Sequence, residues 1–241
     1  MNSPSPPSFS TQSQILAALD KTAYRYLFSH LERVSFPLGA LVYEADDRIE
    51  DVYFPETAVF SMLATMEDGR SVEVGPVGRE GLVGLGVALG GETTTDRVVV
   101  HMAGNALRLK ASVLRSELGE GRTELLQKVI SYTRMLLAMT GRMSACNKLH
   151  SLEQQLARWL LTMNDYTGAE LRLTHELMAL TLGVRRAGVS VTANNLRVGG
   201  MIAYRRGYIQ ILDRKNLEEV ACECYQFIKE EYDNLYAALS R

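Results

Sequence analysis

The spacing of apolar residues changes character twice along the chain. From Gln14 to Val34 they recur at Ile15, Leu16, Leu19, Tyr26, Leu27 and Leu31, which predicts one or two short helices. From Phe36 to Leu109 short β-rich runs take over: Ala40–Tyr43, Asp51–Phe54, Ala58–Ala64, Ser71–Val74, Arg97–Met102 and Ala106–Lys110. Turns such as Pro37-Leu38-Gly39 and Glu67-Asp68-Gly69 separate them, and so many short strands predict a sandwich, jelly roll or barrel. Between Thr123 and His150 the pattern is helical again. Leu125, Val129, Tyr132, Leu136, Met139, Met143 and Cys146 step alternately by four and three, with a second apolar edge at Leu126, Ile130 and Leu137. Such a helix can pack on the β-domain with one side and on a second copy with the other. We assign Leu125, Val129, Tyr132, Leu136, Met139 and Met143 to a dimer seam; the competing reading is a helix buried within one subunit.

Ser151 to Asn164 continues with an amphipathic helix capped by Ser151. The stretch Leu171–Leu212 then combines several signals. Thr174 is an N-cap candidate for a helix with Leu177, Leu180 and Leu182 on its apolar face, and Gly183 ends it. A second helix, Arg185–Val198, carries Val189, Thr192 and Leu196 on one side and Arg186, Ser190, Asn194 and Arg197 elsewhere. Met201–Tyr204 and Tyr208–Leu212 bracket Arg205-Arg206-Gly207, which predicts two strands around a basic turn, a wing. A helical and mostly acidic segment follows from Leu217 to Ala238.

Charge sharpens this picture. Between Leu171 and Lys215 there are eight Lys or Arg (172, 185, 186, 197, 205, 206, 214, 215) against Glu176 and Asp213, a local +6. The whole chain has 26 basic and 28 acidic residues, so the remainder carries −8. A basic head on an acidic body suits phosphate neutralisation, so we read Leu171–Leu212 as a head for duplex DNA. With 241 residues and 46% hydrophobic composition the chain can bury one large or two modest cores. No run of eighteen apolar residues occurs, so no membrane span is predicted. The opening MNSPSPPSFS lacks the basic and apolar regions of a signal peptide and is expected to be a disordered tail. Three cysteines, an odd number without framework spacing, suit a reducing cytoplasm.

Several ordered stretches together, GREGLVGLGVALGG followed by DRVVV, then HSLEQQLARWLL and LTHELMALTLGVRR, resemble the Crp/Fnr family of bacterial transcription regulators from Leu16 to Leu212. The resemblance implies an α+β chain in four parts. Residues 1–13 form a tail; 14–120 a cyclic-nucleotide-binding-like double-stranded β-helix, or jelly roll; 121–148 a dimerisation helix; and 149–241 a winged helix-turn-helix domain. It also implies a homodimer that binds promoter DNA and meets RNA polymerase. Alignment on Gly183 puts Arg186 at the leading base-reading position, with Thr174, Arg185, Ser190, Asn194, Arg197, Tyr204, Arg205 and Arg206 as further DNA contacts. Ala187 and Gly188 replace a frequent glutamate and threonine, so a less ordered recognition helix is expected.

The ligand loop departs from the family as well. Gly81, Gly84, Leu85, Arg97 and Val98 occupy the nucleotide site, but Leu85 stands where a ribose-binding carboxylate belongs and Val98 where a phosphate-binding hydroxyl belongs. Each lost charge-assisted bond is worth roughly 1.5–3 kcal/mol, so tight binding of cAMP or cGMP is not expected, and an unknown small-molecule effector is the alternative. Cofactors are not expected. Cys146, Cys222 and Cys224 are too few and too late for the family's iron–sulfur cluster, Cys222-Glu223-Cys224 lacks two further zinc ligands, and His30, His101, His150 and His175 fall in no motif. An enzyme is not expected either: there is no His-x-His pair for a cupin metal, no G-x-x-x-x-G-K-[ST], and no placeable Ser/His/Asp or Cys/His set. The alternative function is a regulatory or scaffolding module that has lost DNA binding.

Overall fold

The computed structural model describes residues 11–119, 123–168, 171–205 and 207–240. Arg206 and most of the predicted tail therefore lie outside the described residues. The two short helices are α1 (Gln14–Ala17) and α2 (Lys21–Phe28), the latter capped by Asp20, whose carboxylate accepts from the Thr22 and Ala23 amides. The helical reading to Val34 is corrected by β1 (Glu32–Phe36). Pro37 disfavours helical geometry at Phe36, and the alternation of Val34 and Phe36 with polar neighbours suits a strand.

Six more strands follow: β2 (Leu41–Tyr43), β3 (Asp51–Pro55), β4 (Val59–Thr65), β5 (Ser71–Val77), β6 (Arg97–Met102) and β7 (Gly104–Lys110). They form two antiparallel sheets, β1-β7-β3 and β2-β6-β4-β5. Phe54, Phe60, Leu63, Leu82, Val100 and Leu109 are buried in this domain, which is the jelly-roll-like arrangement expected from the strand spacing. A short helix α3 (Leu85–Ala88) sits in the glycine-rich loop, and α4 (Ala111–Gly119) follows β7.

The long helix is α5 (Glu124–Leu149), started by Thr123, whose hydroxyl accepts from the Leu126 amide. Its orientation corrects the dimer assignment. Leu125, Val129, Tyr132 and Met139 lie in the subunit's own core, with Leu136 and Met143 partly buried against it. They form the richer apolar seam, so the chain's own core takes them. The face left outward runs through Ile130 and Leu137, respectively 48% and 75% exposed.

Helix α6 (Leu152–Thr167) begins with a full capping box between Ser151 and Gln154. Then come β8 (Leu171–Arg172), α7 (His175–Leu182), α8 (Arg186–Val198), β9 (Ile202–Arg205), β10 (Tyr208–Ile211), α9 (Arg214–Val220) and α10 (Cys224–Leu239). Trp159, Leu160, Met178, Val189, Leu196, Ile209 and Leu217 form a second core. The expected acidic helix is broken at Ala221–Glu223. Its second half, α10, places Tyr225 in the second core but Ile228, Leu235 and Leu239 in the first. The buried Lys128 Nζ donates to the Leu239 carbonyl at 2.7 Å, so α10 also supplies the partner of a buried ammonium. Packing thus crosses the boundary predicted at residue 149.

Candidate nucleic-acid interface

Local rules build the head. The Thr174 hydroxyl accepts from the Leu177 amide at 3.1 Å and starts α7; Gly183, at φ +63°, ends it in the left-handed conformation a glycine adopts freely. Gly183 also lets the head approach the β-domain, since a Cβ there would stand 3.0 Å from Val72 on β5. Helix α8 then runs unbroken from Arg186 to Val198, Gly188 included. A Cβ at Gly188 would stand 3.2 Å from Leu152 Cδ2, so this glycine permits close packing of α8 on α6.

Val189, Thr192, Ala193 and Leu196 anchor α8 in the core. Arg185, Arg186, Asn194 and Arg197 are exposed, and Ser190 is half-buried. Arg186 Nε pairs with Glu176 Oε1 at 2.7 Å, and both side chains are about two-thirds exposed, so the pair holds the arginine only weakly. Arg197 donates to Asn194 Oδ1 at 2.9 Å. Ser190 Oγ lies 2.8 Å from His175 Nδ1, and the His175 ring stacks on Tyr204 with centroids 4.6 Å apart. His175 thereby joins α7, α8 and the wing, a role that sequence spacing did not show. Ala187 and Val191 are exposed on the same outward face. In the wing, ordered β8-β10-β9, Tyr208 stands opposite both Arg172 and Arg205 and completes a cross-strand row.

The predicted ligand residues have other partners. A Cβ at Gly81 would stand 2.7 Å from the Tyr132 ring on α5, so this glycine serves the contact between loop and long helix. Gly84, at φ +87°, is backed by Val52, Ile49 and the Tyr43 hydroxyl at 3.0–3.4 Å from its Cβ position. Leu85 opens α3 and packs on the first core, Val98 is buried in it, and Arg97 Nε faces Glu44 at 3.4 Å. Apolar side chains thus occupy the ground beneath the loop.

Head and β-domain meet at polar side chains. Glu73 on β5 accepts from the Ser61 hydroxyl and from Trp159 Nε1 on α6, and His101 Nδ1 lies 3.9 Å from it. Burial pushes the Glu73 carboxyl up to about 7, with the two hydrogen bonds acting in the opposite sense. Burial alone pushes His101 down to about 4. Nearby, Glu80 is fully buried and accepts from the Gly78 amide and from the Tyr166 hydroxyl on α6; burial raises its pKa as well.

Residues 154–220 match the family model of the Crp-like helix-turn-helix domain. A comparison with curated protein sequences finds no match. Among solved structures, FixK2 from Bradyrhizobium japonicum is 17% identical, with 80% of this chain and 98% of that chain covered at a TM-score of 0.69. The c-di-GMP-responsive global regulator CLP of Xanthomonas campestris is 16% identical, over 80% and 99% of the two chains, with a TM-score of 0.66. A CRP/FNR-family transcriptional regulator from Thermus thermophilus is 24% identical, over 79% and 98%, with a TM-score of 0.64. Both halves of the chain are thereby accounted for: it carries a Crp-like helix-turn-helix domain and has the fold of the Crp/Fnr transcription regulators.

Proposed function

We propose that the protein is a homodimeric regulator of transcription that reads duplex DNA with α8 in the major groove and touches flanking phosphates with the wing. The observation that carries this reading is the outward face of α8, where Arg186, Ser190, Asn194 and Arg197 are presented by a helix whose other side is fixed in the core. Arg186 at the first turn suits bidentate recognition of guanine, and Ala187 and Val191 suit contact with thymine methyl groups. Arg172, Tyr208 and Arg205 form a row that suits the sugar-phosphate backbone. A two-fold dimer through the outward face of α5 sets two such helices on a palindrome, and RNA polymerase is the protein partner at the promoter. Neither cAMP nor cGMP is its signal, because Leu85 and Val98 remove the polar contacts and Tyr43, Ile49 and Val52 back the loop. Calorimetry with either nucleotide should give no heat of micromolar binding.

The main test is binding to genomic fragments, followed by selection of the preferred site. Arg186→Ala should cost about 1–3 kcal/mol on that site and relax its sequence preference. Arg205→Ala should weaken selected and random DNA alike and lower the salt slope by about one. Equal losses for Arg186→Ala on both DNAs would remove its assigned role. If no fragment is retained, the regulatory or scaffolding module becomes the better reading.

A further inference from the structure

The fold gathers four side chains that are scattered in sequence. Cys146 and His150 lie one turn apart where α5 ends; Cys222 lies in the link between α9 and α10, and Cys224, just past Glu223, opens α10. One ligand atom from each lies within 4.8 Å of the other three. Cys146 Sγ is 3.6 Å from Cys222 Sγ, and Cys224 Sγ is 3.8 Å from His150 Nδ1. A tetrahedral zinc site has Zn–S bonds of about 2.3 Å and Zn–N bonds of about 2.0–2.1 Å, so its edges are about 3.8 Å between sulfurs and about 3.6 Å between sulfur and nitrogen. Two of the six edges thus match such a site closely, and the other four are within 4.8 Å. A disulfide would need a separation of about 2.05 Å, and all three cysteines are free. An iron–sulfur cluster interposes sulfides between its irons and spreads its ligands more widely than four atoms converging on one point.

The surroundings fit an ion as well as the corners do. His150 Nε2 lies 3.1 Å from Glu223 Oε2. With the ring proton on Nε2 and donated to that carboxylate, Nδ1 presents its lone pair to the other three ligands. Gln155 Nε2 donates to the His150 carbonyl at 2.8 Å and fixes the end of α5 that carries the histidine. Arg158 is buried, and its charge acts on Cys146 and Cys222. Three thiolates and a divalent cation leave one negative charge, which this guanidinium offsets. The three cysteines are buried and make a small cluster of their own, which Met143 joins to the edge of the first core.

We propose that Cys146, His150, Cys222 and Cys224 form a closed tetrahedral site for a single thiophilic divalent cation, zinc. Four protein ligands leave no open position, so the ion is structural. It clips the start of α10 to the C-terminal end of the long helix, at the point where the chain turns into the reading head. This site is independent of the DNA-binding reading.

Metal analysis of the whole protein, made in zinc-replete medium and purified with reductant and without chelator, should find about one zinc per protomer. Protein stripped under reducing conditions and titrated with Co²⁺ should develop the intense visible bands of tetrahedral thiolate-bound cobalt. Those bands should reach equivalence near one ion and be lost when zinc is added. Cys222→Ser and His150→Ala should each abolish stoichiometric retention. Glu223→Gln keeps all four ligands and should bind zinc about 10–100-fold more weakly. The cobalt titration of the unaltered protein decides the matter even if a variant fails to fold. Absence of both zinc and the tetrahedral cobalt spectrum would overturn the proposal. So would iron–sulfur absorption in anaerobically purified protein, or full zinc retention by a Cys222→Ser, His150→Ala double variant.

Discussion

A carboxyl enclosed by Ser61, Trp159 and His101 gains by keeping its proton. Glu73 ionises near 7 in the folded chain, whereas a solvated glutamate ionises near 4.3. The folded state therefore holds an extra proton between those values, and the associated stability is lost as pH rises through about 7. His101 works in the opposite sense. Its depressed pKa contributes stability that is present above about 6.5 and is lost as pH falls toward 4. Between pH 6.5 and 8 folded His101 is neutral and only the unfolded chain's imidazole still gives up protons, equally in both proteins, so a comparison with Glu73→Gln isolates the carboxyl. Over that interval the protein should lose about 1 kcal/mol more than a Glu73→Gln variant, read by urea denaturation at each pH. Parallel curves for the two proteins would refute this account. At this scale the sequence discloses what neighbours in the chain determine. The Thr174 cap and the Ser151 capping box are local motifs, and both are present. His175 was opaque, because its partners Ser190 and Tyr204 lie far along the chain and meet it only after α7, α8 and the wing have packed. His150 was opaque for the same reason: its proximity to Cys222 and Cys224 is a product of how α10 returns to α5.

Elements were legible where periodicity was long and single. The strands from β2 to β7, the helix α5 and the α7–turn–α8 unit follow the pattern closely. The β1 segment is hidden in the sequence because an apolar run that begins with helical spacing changes period over only a few residues before Pro37. The two seams of α5 show a different limit: heptad spacing identifies two apolar faces but not which one the chain's own core takes. Tyr132 sits on the face that packs inward, pressed on the glycine loop at Gly81. The Tyr132 ring is fully buried and cannot retreat, so a methyl group at Gly81 overpacks the contact. Gly81→Ala should therefore destabilise the protein by about 1–3 kcal/mol in denaturant titrations. A neutral result would show that the loop can yield, and would reopen it as a place for a ligand.

At the scale of the molecule, charge and apolar surface are divided between different tasks. The basic residues concentrate in the head, while the outward face of α5 offers Ile130 and Leu137 beside Leu126 and Thr133, which are only partly covered. A charge at the most exposed of these, Leu137→Glu, should yield monomers by light scattering. Affinity for a palindromic site should then fall by about 100-fold or more, since each head loses the benefit of its linked partner. A dimer that persists would place the interface elsewhere. Helix α10 carries a consequence for how the protein is made. Ile228, Leu235 and Leu239 complete the N-terminal core, and the Leu239 carbonyl that accepts from Lys128 is synthesised 111 residues after that lysine. Domains generally fold as they emerge from the ribosome. Here the β-domain emerges first yet stays unfinished until residues 228–239 have left the ribosome. A nascent chain therefore exposes the apolar back of its long helix while the reading head is still being translated. A message truncated before codon 239 would release a chain with an unpartnered ammonium in its core, a defect that chaperones and proteases can detect without inspecting the DNA-binding surface.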